Sequence, residues 1–210
     1  MKILVVAATR AEVSGFCKNF GLAEENFTQN THFDLLITGV GMTATAFALG
    51  QHLSTAYQLV INLGIAGCYD RSIPLGTLVN IVNDEFSELG AENKDDFLTI
   101  DEMGFGKSTY TATYNAELRD VNTLPKANGI TVNKVHGNTQ SISAIVNRLN
   151  PTTESMEGAA VFYCCEQLGI PCLQVRSISN YVEERNRDNW NIGLAVKNLN
   201  NWAIEFLTND

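Results

Sequence analysis

The chain alternates short apolar runs with amphipathic stretches. Ile3-Leu4-Val5-Val6-Ala7-Ala8 is an unbroken apolar block, so residues 2–8 are read as a buried first strand, followed by a helix from about Ala11. Asp34-Leu35-Leu36-Ile37-Thr38 predicts a strand ending at Gly39, and residues 43–53 a helix of small side chains. Leu59-Val60-Ile61-Asn62-Leu63 predicts a third apolar strand stopped by Gly64, and Thr77-Leu78-Val79-Asn80-Ile81-Val82 follows the turn signal Pro74-Leu75-Gly76. Residues 130–135 form a strand by β-branched alternation, and Leu173–Ile178 another. Gly158–Leu168 reads as a buried helix. Trp190–Leu207 places Ile192, Leu194, Ala195, Leu199, Trp202, Ala203 and Phe206 at helical spacing. Residues 87–128, rich in Asp, Glu, Gly and Asn, are read as loops with short elements, residues 87–110 being a candidate lid. Strands alternating with helices predict an α/β protein with a central, largely parallel sheet. Ligands then sit beyond the carboxyl ends of its strands.

With 210 residues, 45% of them hydrophobic and only four prolines, the chain is expected to form one domain over residues 1–210. That composition excludes disorder, collagen and coiled coil. Fourteen Lys and Arg against 23 Asp and Glu give a net charge of -9, which repels phosphate backbones and argues against nucleic acid. No apolar run approaches the ~18 residues of a membrane span, so no membrane partner is expected. The N-terminal block has no longer apolar region and no credible cleavage site, so it is not read as a signal peptide. Cys17, Cys68, Cys164, Cys165 and Cys172 are odd in number and contain no Cys-x-x-Cys, which fits a reduced, cytoplasmic compartment.

Several polar residues and glycines fall at predicted strand ends. Gly39-Val40-Gly41-Met42-Thr43-Ala44 matches the loose G-x-G-x-x-G/A pattern, but it is not in the first βα unit and no acidic residue closes the next strand. It is a tight turn with close helix packing, or backbone that approaches a ligand. Gly64-Ile65-Ala66-Gly67 is a second such segment, and together the two leave room for a flat heterocycle. Glu12 is either a solvated first-turn glutamate or an acid beside a ligand. Glu157 precedes a strongly apolar helix, where an acid is paired or binds something. Asn180 closes a strand and is a turn residue, a helix cap or a ligand contact. His32, His52 and His136 have no ligand-like spacing, so no metal is expected, and no Gly-x-Ser-x-Gly elbow exists.

Taken in order, Glu12 within the first thirteen residues, Gly39-Val40-Gly41, Asn62-Leu63-Gly64-Ile65-Ala66-Gly67, Ser155-Met156-Glu157-Gly158-Ala159-Ala160 and Val175-Arg176-Ser177-Ile178-Ser179-Asn180 resemble the nucleoside phosphorylase/nucleosidase superfamily over nearly the whole chain. Within it, Glu88-Leu89-Gly90-Ala91-Glu92, residues 132–138 and residues 179–190 resemble the futalosine hydrolases of the alternative menaquinone pathway. The resemblance implies a three-layer fold with a mixed, largely parallel sheet flanked by helices. It also implies hydrolysis of a ribosyl N-glycosidic bond without cofactor or metal, in a homo-oligomer of two or more subunits. By the same resemblance Glu12 activates the attacking water, and Met156 and Glu157 clamp the ribose. Asn180 stands where adenine-specific relatives carry an aspartate. Val40, Ala66 and Gly67 border ribose and base, and Gln140 and Ser141 fall near the base.

The chemistry is consistent with these roles. Cleavage builds positive charge on the sugar and negative charge on the base, so a carboxylate pair serves the sugar and donors serve the base. A 6-oxopurine offers N7 and O6 as acceptors, whereas adenine offers N7 and an N6 donor. The two amide hydrogens of Asn180 suit the former, so hypoxanthine is the expected leaving base. Futalosine also carries a carboxylate away from the base. Arg185 and Arg187 are the candidate cations for it, with Lys107 as a further one, unless salt bridges to Glu183, Glu184 or Asp188 occupy them. Adenine-specific nucleosidases, purine nucleoside phosphorylases and a non-catalytic nucleoside-binding module are the competing readings. Phosphorolysis would need arginines such as Arg10 and Arg71 to converge on phosphate.

Overall fold

The computed structural model describes residues 2–94, 96–114 and 119–208. Its elements are β1 (Ile3–Ala7), α1 (Ser14–Asn19), β2 (Phe27–Gln29), β3 (Phe33–Ile37), α2 (Met42–His52), β4 (Leu59–Cys68), β5 (Leu78–Phe86), β6 (Gly90–Asn93), β7 (Asp96–Thr99), β8 (Thr109–Thr111), α3 (Arg119–Asn122), β9 (Lys126–Thr131), α4 (Thr139–Leu149), β10 (Thr153–Ser155), α5 (Gly158–Leu168), β11 (Cys172–Tyr181) and α6 (Ile192–Thr208).

Every residue of β1 is buried, as its unbroken apolar run requires of a strand covered on both faces. It pairs in parallel with β3 on one side and β4 on the other. Side chains alternate between two cores. Ile3, Val5 and Ala7 join Phe16, Leu173, Leu199 and Phe206 under α1 and α6. Leu4 and Val6 join Leu49, Val161, Phe162 and Cys165 under α2 and α5. This is helix on sheet on helix, the expected α/β three-layer arrangement. Each fully buried Leu, Ile or Phe stabilises it by about 1.5–3 kcal/mol.

The nine-stranded sheet is mixed. β4–β11, β5–β9 and β9–β10 are parallel, while β11–β5, β10–β4, β2–β3 and β5–β8 are antiparallel. Because β10 pairs with both β9 and β4, the strands β4, β11, β5, β9 and β10 close into a ring.

Several predicted elements change their bounds, β5 among them, which runs on from Val82 to Phe86. β4 does not stop at Gly64 but runs on to Cys68, and β11 passes Ile178 to end at Tyr181. The glycines are held in the strand there by pairing with β11 at both positions and with β10 at Gly67. A methyl group on Gly64 would lie 1.8 Å from Nη1 of Arg176, so only a bare backbone fits. β9 ends at Thr131 instead of residue 135. The stretch 87–128 holds the β6–β7 hairpin, β8 and α3, its positions 95 and 115–118 lying outside the described residues. The amphipathic helix α4 and the short strands β2 and β10 have no counterpart among the predicted elements. No helix among the described residues is long and apolar enough to cross a membrane.

Candidate functional site

The extended end of β4 forms the floor of the site. In the β4–β11 register Arg176 lies beside Gly64, and Asn180 lies beside Gly67 after a bulge between Ile178 and Asn180. In the β10–β4 register Glu154 lies beside Gly67 on the opposite side. Three residues of strand separate the two rows, a span of ~10 Å.

At the first row Glu12 is fixed by three hydrogen bonds. Its Oε1 accepts from the Ile65 amide at 3.1 Å, and its Oε2 accepts from the amide and hydroxyl of Thr9 at 3.0 and 2.9 Å. The extension of β4 past Gly64 is what places the Ile65 N–H there. A carboxylate has about four acceptor positions, so one lone pair remains free.

Glu157 sits at the start of α5, and its Oε1 accepts from the Gly41 amide at 2.9 Å. Gly41 adopts φ 95°, a left-handed conformation that suits glycine and turns this amide toward the acid. The Gly39–Gly41 turn thus serves a protein carboxylate. Burial raises the pKa of Glu157, against the lowering effects of Arg176 and the Gly41 amide, and the nearby charge of Glu12 raises it further. The two sugar-side acids therefore feel one another. Met156, next to Glu157, is half-buried.

Beneath Glu157 lies a buried polar chain. Thr131 Oγ1 donates to Asp84 Oδ1 at 2.8 Å and Gln174 Nε2 donates to Asp84 Oδ2 at 2.8 Å. Arg176 Nε donates to Gln174 Oε1 at 2.9 Å. The Nη2 of Arg176 is buried without a partner among the described residues. Burial pushes the Asp84 carboxyl up to about 6, although Gln174, Thr131 and Arg176 all act to lower it.

At the second row the Asn180 amide is oriented from both ends. Ser179 Oγ donates to its Oδ1 at 2.8 Å, and its Nδ2 donates to the Tyr181 carbonyl at 3.1 Å. One of the two amide hydrogens expected for the base is thereby committed, which leaves one. Asn180, Gly67, His136, Arg185 and Trp190 line a cavity of 60 Å³. That is well below the ~300 Å³ of a pre-formed ligand pocket.

The remaining expected residues divide. Ala66 is buried beneath the floor and Val40 is 56% exposed on the Gly39–Gly41 turn. Gln140 and Ser141 do not reach the cavity. They lie on the first turn of α4, where Asn138 accepts from the Ser141 amide at 2.9 Å as the helix cap. Val135 and His136, just upstream of them, line the cavity. Arg185 and Arg187 stack over Trp190, at 5.1 and 5.7 Å from its ring centre, and form no ion pair among the described residues. Glu183 pairs with Arg71 instead, and Glu184 accepts from Thr139. Lys107 is held by Glu166 at 2.6 Å. Arg10 donates to the carbonyls of Ala23 and Glu25, so both arginines considered for phosphate are engaged elsewhere.

The sequence offered His136 and Arg176 only inside motifs, His136 also as a discounted metal ligand, and gave no role to Asp84, Gln174, Glu154 or Tyr69. A charged residue inside the apolar run Leu173–Ile178 was the available signal for Arg176. Nothing local distinguishes the others, which meet only across strands. No group of three or more His, Cys, Asp or Glu among the described residues is placed to hold a metal ion.

Comparison with known proteins agrees with this architecture. The family model described as the Phosphorylase superfamily matches residues 2–208. A futalosine hydrolase of Streptomyces coelicolor is 32% identical over 181 residues, covering 80% of this chain and 75% of that protein. A futalosine hydrolase of Thermus thermophilus is 26% identical over 178 residues, covering 81% and 79%. Among solved structures, a 5′-methylthioadenosine/S-adenosylhomocysteine nucleosidase from Helicobacter pylori superposes with TM-score 0.86 at 17% identity, covering 100% of this chain and 99% of that one. Futalosine hydrolase of Helicobacter pylori superposes with TM-score 0.85 at 17% identity, covering 100% and 98%.

Proposed function

The chain belongs to the phosphorylase superfamily, and we propose that it hydrolyses the N-glycosidic bond of futalosine, releasing hypoxanthine and dehypoxanthine futalosine on the futalosine route to menaquinone. The observation that carries this reading is the amide at position 180, whose Nδ2 sits at the cavity beside Gly67. Ser179 and Tyr181 fix the orientation of this amide and leave one Nδ2 hydrogen to offer to the base. It can donate to N7 or O6 of a 6-oxopurine. The futalosine hydrolases at 26–32% identity support the same substrate.

In this mechanism Glu12 takes a proton from water as it attacks C1′ of the ribose. Glu157 accepts from the 2′- and 3′-hydroxyls beside Met156, and its carboxylate favours the positive charge that builds on the sugar. Arg185 and Arg187 face the substrate carboxylate. Phosphorolysis is disfavoured by the engagement of Arg10 and Arg71. The fold alone does not separate this reading from an adenine-specific nucleosidase, because both kinds of neighbour superpose equally well.

The test is incubation with futalosine and chromatographic detection of free hypoxanthine, with and without phosphate. Hypoxanthine release unaffected by phosphate is expected. Release that depends on phosphate and yields ribose 1-phosphate products assigns a phosphorylase. Adenine released from methylthioadenosine, with futalosine untouched, assigns the adenine-specific nucleosidase.

A further inference from the structure

Expelling hypoxanthine leaves electron density on the base that must be met by a proton, and Asn180 cannot supply one. Its amide does not ionise at ordinary pH, and one of its N–H groups is committed to Tyr181. A second group faces the same cavity. His136 Nδ1 lies 2.7 Å from Glu154 Oε2, and the His136 amide donates to Glu154 Oε1 at 3.1 Å. Tyr69 donates its phenolic proton to Glu154 Oε2 at 2.8 Å, and its oxygen lies 3.1 Å from His136 Nδ1. Glu154 is 4% exposed. The imidazole is therefore gripped on its Nδ1 side by a buried carboxylate and a phenol. Its Nε2 has no hydrogen-bond partner among the described residues, and the ring lines the cavity.

The register makes this placement specific. Glu154 and Asn180 flank Gly67 on neighbouring strands, β10 and β11. A methyl group on Gly67 would lie 3.3 Å from Asn180 Nδ2 and 3.5 Å from Glu154 Cγ. Val182 Cγ2 would lie closer still, at 3.0 Å, so only bare backbone fits between the amide on one side and the His136–Glu154 pair on the other.

Resting on the nucleosidase reading above, we propose that His136 is the proton donor to the departing purine, with Glu154 and Tyr69 as the residues that position it. With Nδ1 directed at the Glu154 carboxylate, Nε2 is the ring nitrogen left to present a proton to the base. In the reaction the water oxygen bonds to C1′ and gives its proton to Glu12. The C1′–N9 bond breaks and its electron pair passes into the purine, which takes the Nε2 proton at N7. Solvent then returns a proton to His136 and removes one from Glu12, so the enzyme is restored and only water is consumed.

The experiment compares a leaving group that needs a proton with one that does not. Futalosine and p-nitrophenyl β-D-ribofuranoside are assayed with wild type, His136→Ala, His136→Gln and Glu154→Gln, each checked for wild-type circular dichroism. General-acid catalysis contributes typically ~10²–10⁴-fold. Both His136 variants should lose about 100-fold or more in kcat on futalosine, with KM within about threefold, while nitrophenol release changes less than about threefold. Glu154→Gln should show the same split at smaller size. Equal losses on both leaving groups, a loss confined to KM, or futalosine activity within threefold of wild type in both His136 variants would overturn the assignment. Wild type that releases no hypoxanthine from futalosine refutes the substrate reading itself, before any variant is compared.

Discussion

Asp84→Asn isolates the buried chain under Glu157, and its effect on stability has a definite pH dependence. Asp84 is 1% exposed and its carboxyl is pushed from 3.8 up to about 6 because burial outweighs the hydrogen bonds from Gln174 and Thr131 and the charge of Arg176. The raised value reverses the usual behaviour of a carboxylate. Below about pH 4 the group is protonated both folded and unfolded, and the native state keeps its full contribution. As pH rises, the unfolded chain ionises first, so stability falls until the folded group has ionised above about pH 6. A rise of about two pH units at 1.36 kcal/mol each amounts to about 3 kcal/mol, of which about 2–3 kcal/mol falls between pH 4 and 7.5. An asparagine does not titrate. It also sets an amide donor against Gln174 Nε2, whose own Oε1 is held by Arg176. That mismatch costs about 1–3 kcal/mol at every pH. The variant is thus expected to be least stable relative to wild type near pH 4, and to recover about 2–3 kcal/mol of the difference by pH 7.5. Urea unfolding of both proteins across this range measures it, since all other titrating groups cancel in the difference. A difference independent of pH, or one that grows as pH rises, would show that Arg176 keeps Asp84 ionised and that the balance drawn here is wrong.

Glu12→Gln removes the base and sets its amide nitrogen against a backbone N–H of Thr9 or Ile65, and hypoxanthine release should fall about 10²–10⁴-fold with unchanged circular dichroism. Asn180→Asp should lower kcat/KM for futalosine relative to its 6-amino analogue by about tenfold or more, in line with the ~1–3 kcal/mol of a paired base contact; an unchanged ratio refutes the amide argument. Arg185→Glu and Arg187→Glu should raise KM for futalosine several-fold, on the ~1 kcal/mol scale of exposed ion pairs, and leave inosine unaffected. An untouched KM removes that arginine from the substrate contacts. Gly64→Ala forces a methyl onto Arg176 Nη1 and toward Glu12 Oε1, and should lower stability by about 1–3 kcal/mol in thermal unfolding while reducing activity. A stable, fully active variant would show that Arg176 is free to move.

The layered α/β architecture was legible because periodicity is local. β1 is apolar along its whole length, α6 repeats its apolar face, and α5 appears with the bounds expected of it. The acids Glu12 and Glu157 and the amide Asn180 were legible as polar residues beside apolar runs, and motif resemblance joined them. What the one-dimensional pattern could not carry was pairing across strands. Gly64 and Gly67 look like stop signals until their neighbours Arg176, Glu154 and Asn180 are known, because a glycine says only that something lies close. The bulge at Ser179 and the committed amide hydrogen of Asn180 follow from registers that short-range propensity does not encode, and Val135 and His136, not Gln140 and Ser141, line the cavity. The amino-acid order thus determined the layers and supplied the reactive groups. The closed ring of β4, β11, β5, β9 and β10 decided which of them meet, since hydrogen-bonded registers join residues far apart in the chain at separations of ~5 Å.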